Sequence, residues 1–128
     1  MSRVLIVEDD PDLVALARRW LERDGHAVQH AASGPAALEA LAKDPLPHVV
    51  LLDVMLPKID GFEVLRRIRA DARTRALPVV MVTSFTRDKD AARGRELGAN
   101  DYIAKPLMEL DFLERVKRAI ASAGRPSG

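Results

Sequence analysis

The 128-residue chain contains no cysteine, which excludes disulfides, zinc–thiolate sites, iron–sulfur clusters and a cysteine nucleophile. Its apolar runs are only a handful of residues long, far short of the roughly 20 that a membrane helix needs, so no membrane insertion is expected. It has almost no surplus of charge: 20 Lys+Arg stand against 19 Asp+Glu, a net of +1. A dedicated nucleic-acid binder is usually strongly basic, so no direct nucleic-acid partner is expected. Neither G-x-G-x-x-G nor G-x-x-x-x-G-K-[S/T] occurs, which removes a dinucleotide or P-loop site. What remains, at 48% hydrophobic and 30% charged residues, suits one soluble globular domain with a single core. Met1-Ser2-Arg3 leads straight into an apolar segment rather than a signal peptide, so the cytoplasm is the expected location.

The small net charge conceals an uneven distribution. Residues 1–64 hold 6 basic and 11 acidic side chains, and residues 65–128 hold 14 basic and 8 acidic ones. The apolar pattern alternates between short runs and helical spacing. Val4–Val7, Ala27–His30, Val49–Leu52, Val79–Val82 and Tyr102–Ala104 read as strands, the third and fourth apolar on both faces. Between them lie helical stretches. Leu13, Leu16, Ala17, Trp20 and Leu21 carry the first, which Asp10-Pro11 opens and Gly25 closes. Ser33 caps the second, with Ala37, Leu38 and Leu41 on one face and Pro45 and Pro47 beyond. Asp60-Gly61 opens the third, with Phe62, Leu65 and Ile68. The fourth is expected over about Arg87–Leu97, ending at Gly98, and the fifth carries Leu110, Leu113, Val116, Lys117 and Ile120. Residues 123–128 read as a flexible tail after a domain of residues 1–122. Five strand–helix units with strands buried on both faces predict a three-layer, doubly wound α/β sandwich around a parallel sheet.

In such sheets ligands bind beyond the carboxyl ends of the strands. Glu8, Asp9 and Asp10 follow the first strand, Asp53 the third, Thr83 and Ser84 the fourth, and Lys105 and Pro106 the fifth. Singly, each is an ordinary cap or turn residue, and Asp10 is expected to be a helix cap. Together they converge carboxylates, a hydroxyl and an ammonium on one edge. Clustered carboxylates repel one another unless cations neutralise them, and Lys105 supplies only one charge. Oxygen-only ligands favour Mg²⁺, with Mn²⁺ also possible. A carboxylate beside such a metal, with a Lys and a hydroxyl, has the parts for phosphoryl transfer. Asp53, at the tip of the most buried strand, is the expected nucleophile. An aspartate-dependent phosphatase would need a second Asp two residues later, where this chain has Met55.

The segments Val4–Asp10, Leu51–Pro57, Ile59–Gly61, Val79–Ser84 and Gly98–Pro106 together resemble the response-regulator receiver domain of two-component signalling. The resemblance runs from about residue 3 to about residue 122. It implies a flavodoxin-like (CheY-like) fold with strand order 2-1-3-4-5. It implies that Asp53 accepts the phosphoryl group, and that Asp9 binds the metal directly while Glu8 does so through water. The backbone carbonyl of Met55 would complete the protein ligands. Thr83 would hydrogen-bond the phosphoryl group, Lys105 would pair with its oxygen through a cis Lys105-Pro106 bond, and Tyr102 would be the coupled rotamer switch. Met55 and Phe85 flank the site, and their apolar side chains lead us to expect slow self-dephosphorylation; Ser84 would keep the pocket open. The implied partners are a histidine kinase or histidine phosphotransfer protein, and a downstream protein meeting the fourth helix, fifth strand and fifth helix. A phosphorylation-linked homodimer is a further implied partner. The implied function is a switch, with self-catalysed phosphotransfer rather than an enzyme's turnover of a separate substrate. An unphosphorylated scaffold is the alternative, and the chain either acts alone or is one module of a longer regulator.

The remaining polar features read as weaker signals. Arg66, Arg67, Arg69, Arg73 and Arg75 are expected to form a solvated basic face. Arg87, Lys89, Arg93 and Arg95 mark the fourth helix as a contact surface. His26, His30 and His48 are expected at the surface or its boundary, away from the cleft. Trp20 is expected to pack one side of the first helix, bordering the surface where a kinase would dock.

Overall fold

The computed structural model describes residues 2–84 and 88–122; the expected roles of Phe85 and Arg87 and the expected tail over 123–128 fall outside the described residues. Five strands, β1 (Arg3–Val7), β2 (Ala27–Ala31), β3 (Val49–Asp53), β4 (Val79–Thr83) and β5 (Asp101–Ala104), alternate with five helices. The helices are α1 (Pro11–Arg23), α2 (Gly34–Leu41), α3 (Gly61–Ala70), α4 (Asp88–Glu96) and α5 (Glu109–Ala121). All strand pairs are parallel, in the order β2-β1-β3-β4-β5. This is the expected flavodoxin-like sandwich.

The two-residue period of each strand divides the core into two layers. Leu5, Val7, Val50, Leu52, Val79 and Met81 pack with Phe62, Leu65 and Ile68 of α3 and Ala37 and Leu41 of α2. Val4, Ile6, Val49, Leu51, Val80, Val82 and Ile103 pack on the other side, with Val14, Ala17 and Leu21 of α1 and Phe112, Val116 and Ala119 of α5. The α5 stripe runs Phe112–Val116–Ala119, at i, i+4 and i+7. Leu110, read as part of the last helix, lies about 200° round it from Phe112 and is 84% exposed, outside the buried stripe. Leu16 is likewise exposed, and Val14 takes the buried place on α1. Trp20 packs against Phe112 with ring centroids 5.9 Å apart, joining α1 to α5.

The predicted caps form as their chemistry requires. Asp10, Ser33 and Asp60 accept hydrogen bonds from the backbone N–H groups of Asp12, Ala36 and Glu63, satisfying otherwise unpaired helix donors. Gly25 and Gly98 take positive φ at the ends of α1 and α4. The α2 helix ends at Leu41, ahead of the two prolines. No described helix is long and apolar enough to cross a membrane.

Candidate functional site

Asp53 is the last residue of the central strand and is only 4% exposed. The loop that follows turns back sharply into α3. Gly61 N–H donates to the Val54 carbonyl at 2.8 Å, and a Cβ at Gly61 would overlap the Asp53 carbonyl and come 2.9 Å from Val54 Cα. Only glycine allows α3 to start this close to the acid. The Asp53 carboxylate is held at both oxygens: Met55 N–H donates to Oδ1 at 3.2 Å and Lys105 Nζ donates to Oδ2 at 3.3 Å.

Glu8 stands one residue beyond β1 and is 3% exposed. Its Oε2 accepts the Asp9 and Asp10 backbone N–H groups at 3.0 and 3.1 Å, and its Oε1 accepts Lys105 Nζ at 2.9 Å. Lys105 therefore bridges two buried carboxylates that belong to different strands. Burial alone would lower its pKa; the Glu8 hydrogen bond and the Asp53 and Glu8 charges outweigh that and hold the ammonium above its ordinary value. The Lys105-Pro106 bond is cis, as the resemblance implied. Lys105 N–H also donates to the Thr83 carbonyl at 2.8 Å, joining the ends of β5 and β4.

One carboxylate oxygen from each of Glu8, Asp9 and Asp53 falls within a group spanning no more than 4.8 Å. Asp9 is exposed while the other two are buried, so the cluster opens to solvent on one side. Three carboxylates and one ammonium leave two negative charges, which one divalent cation would neutralise. The donors are all oxygen, so the fit is to a hard ion such as Mg²⁺ or Mn²⁺. Thr83 is fully buried at the end of β4, one residue beyond Val82, the register partner of Asp53. Tyr102 pairs in register with Met81, two residues before Thr83, and so shares the sheet face that α4 covers. Ser84 and Met55 are exposed beside the cleft, Met55 at 60%. Asp10 is a helix cap and lies outside the acidic group.

The residues expected at the carboxyl edge are thus brought together, with Phe85 outside the described residues. His30 is a correction. It is the penultimate residue of β2, so it lies at the carboxyl edge beside the acids, and its ring Nε2 is 2.8 Å from the Glu8 carbonyl. His26 sits at the boundary, as expected, with a side chain 10% exposed. The basic run on α3 and the loop after it is a second correction. Arg66 and Arg67 pair with Glu63, holding its carboxyl down at about 2, but Arg69 and Arg73 are structural. Arg69 donates to the carbonyls of Gly98, Arg75 and Leu77 and to Asn100 Oδ1. Arg73 donates to the carbonyls of Leu41 and Lys43 and to Asp44 Oδ1. Carbonyls exposed where helices end attract guanidinium donors, a signal that sequence spacing does not carry.

Comparison with known proteins settles the family. The family model described as "Response regulator receiver domain" matches residues 4–117. The chain belongs to that family. It is 40% identical over 125 residues to the DNA-binding dual master transcriptional regulator RpaA of Synechocystis sp., covering 98% of this chain and 52% of RpaA. It is 37% identical over 121 residues to Protein PilH of Pseudomonas aeruginosa, covering 94% of this chain and 99% of PilH. This receiver therefore spans about half the length of RpaA and nearly all of PilH. Among solved structures it is similar to the Vibrio cholerae chemotaxis protein CheY4, with TM-score 0.87 and 28% identity over 93% of this chain and 98% of that one. It is also similar to the receiver domain of the sensor histidine kinase PA1611 from Pseudomonas aeruginosa, a structure with a magnesium ion coordinated in its active-site cleft. That match has TM-score 0.85 and 30% identity over 94% of this chain and 98% of that one. Receiver domains of two-component response regulators are phosphorylation-dependent signalling switches rather than classical enzymes, and this receiver carries its acidic pocket at Glu8, Asp9 and Asp53.

Proposed function

We propose that this receiver, over residues 1–122, takes a phosphoryl group onto Asp53 from a histidine kinase or a histidine phosphotransfer protein in the cytoplasm. The observation that carries the reading is the buried Asp53 carboxylate, fixed by Met55 N–H and Lys105, within one 4.8 Å acidic group with Glu8 and Asp9. An Asp53 oxygen attacks the phosphorus of the donor's N-phosphoryl imidazole. The O–P bond forms as the P–N bond breaks, and the electron pair leaves on the imidazole nitrogen. Glu8, Asp9, Asp53 and the Met55 carbonyl would hold Mg²⁺ or Mn²⁺, which supplies Lewis-acid neutralisation of the phosphoryl oxygens. Lys105 pairs with one of those oxygens and Thr83 donates its hydroxyl to another.

The phosphoryl group adds about −1.5 to −2 charges and new acceptors. As Lys105 and Thr83 engage them, Tyr102 turns inward on the α4 face of the sheet and the α4-β5-α5 surface is remodelled. The phosphoryl group favours the form it binds more tightly. That surface has a hollow of about 370 Å³ lined by Arg95, Asn100, Asp101, Tyr102 and Arg115, where a downstream protein or a second copy would dock. An apolar residue at each of positions 55 and 85, two beyond Asp53 and Thr83, is read as slowing water attack, so the phosphoryl group is long-lived; Met55→Asn/Phe85→Glu is expected to shorten its lifetime. The main test is incubation with Mg²⁺ and acetyl phosphate. One base-labile acyl phosphate is expected, lost in Asp53→Asn and without metal. Labelling that survives either change would overturn the reading.

A further inference from the structure

The pairing of β1 with β2 stops at Val7 and Ala31, and the last backbone bond runs from Glu8 N–H to the Ala31 carbonyl at 3.1 Å. Beyond that point the chain leaves the sheet, yet it must hold Glu8 and Asp9 in place. The His30 ring reaches across from β2 and meets the Glu8 carbonyl at 2.8 Å. A carbonyl only accepts, so Nε2 carries the proton and donates.

This bond fixes more than one oxygen. A trans peptide is planar, with its carbonyl and its following N–H pointing in opposite directions. Holding the Glu8 carbonyl toward β2 therefore aims the Asp9 N–H the other way, where it donates to Glu8 Oε2 at 3.0 Å. That bond sets the rotation of the Glu8 carboxylate, whose other oxygen meets Lys105 at 2.9 Å, and Lys105 in turn meets Asp53. A single relay of hydrogen bonds runs from His30 through the Glu8–Asp9 peptide to the acid cluster and the phosphoacceptor.

We propose that His30 is a positioning residue of the phosphorylation site: its ring N–H fixes the Glu8–Asp9 peptide, and through it the geometry of the acidic cation site. His30 is itself exposed and belongs to neither core layer, so replacing it tests placement of the loop and not folding. The inference rests on the cation-site reading above for its metal arm and stands apart from it for its second arm.

The experiment compares wild type, His30→Ala and His30→Gln, the last able to present an amide N–H. Titration calorimetry measures the Kd for Mg²⁺, and amide hydrogen exchange of Asp9 and Asp10 is followed in metal-free protein. His30→Ala is expected to raise the Kd about tenfold, the low end of what outer partners of metal ligands carry. It is also expected to speed Asp9 exchange several-fold at unchanged Tm, with His30→Gln restoring both. Unchanged Asp9 exchange in His30→Ala would overturn the proposal, and so would an unchanged Kd. If wild type binds no Mg²⁺, the cation-site reading fails, and the exchange arm alone decides the role of His30.

Discussion

At each end of the sheet a buried or half-buried cation gathers acceptors from several segments. At the amino ends of the strands, Arg69 is ringed by the carbonyls of Gly98, Arg75 and Leu77 and by Asn100 Oδ1. Asn100 Oδ1 also accepts the Val79 N–H at 2.8 Å, which ties the start of β4 into the network. Every partner is neutral, and burial lowers the Arg69 pKa from its ordinary value. At the carboxyl ends, Lys105 faces the two buried carboxylates of Glu8 and Asp53, with Asp9 alongside, and their charges raise its pKa. The first network is satisfied by dipoles and has nothing further to bind. The second retains a negative excess that an incoming cation would complete. A network of matched dipoles holds a structure together, while a network short of positive charge is a binding site.

The largest expected effect on stability lies at the amino end. Arg69→Met removes four donor contacts and strands the Leu77 carbonyl, while Asn100 Oδ1 keeps the Val79 N–H; it is expected to cost about 1–3 kcal/mol in denaturant unfolding. Its labelling rate at 25 °C should stay within twofold of wild type. A loss of labelling with intact fold would erase the distinction between the two ends.

Lys105→Met should produce the opposite pattern. Removing the ammonium leaves three carboxylates without an internal cation, so Mg²⁺ is expected to bind several-fold tighter by calorimetry. Labelling should fall, because the clamp on the phosphoryl oxygen is gone. The pH response follows from the raised pKa of Lys105. The stability that its ion pairs contribute is fully present below the ordinary lysine value and is lost as pH rises through the higher folded value. Alkaline unfolding curves should show that loss in wild type and not in Lys105→Met. Weaker Mg²⁺ binding in the variant would contradict the charge argument.

The smallest effect is expected from Glu63 on α3, whose carboxyl Arg66 and Arg67 hold at about 2. Both arginines are exposed, and exposed ion pairs are screened by solvent and salt. Their contribution is present above the ordinary glutamate range and is lost as pH falls through about 2. Glu63→Gln should change neither Tm nor Mg²⁺ affinity measurably. A clear loss of stability would show that this pair belongs with Arg69 rather than with the solvated surface.

The site was legible in the sequence because parallel α/β sheets bring strand ends together. Glu8, Asp53, Thr83 and Lys105 each follow a short apolar run, and the topology places those run ends on one edge. Gly61 was legible as a helix opening, although its need to approach the Asp53 carbonyl was not. The structural role of Arg69 and the closeness of exposed His30 to the cleft are hidden in the sequence for a common reason. Their partners include backbone carbonyls 29 and 22 residues away in the chain, and a carbonyl has no residue identity that a pattern could reveal. Leu110 marks the last helix in the sequence, but only the packed neighbours show that Phe112 leads its buried stripe.

The sequence by itself determined the alternation of strands and helices, the caps at Asp10, Ser33 and Asp60, and the acids and lysine at the strand ends. These follow from local chemistry: periodicity, capping and the placement of charge. Tertiary structure decided which cations are structural and which face the acids. It also decided the reach of His30 to the Glu8 peptide and the separation of the core into two layers. Those outcomes depend on distances between segments far apart in the chain, and such distances exist only once the sheet has assembled.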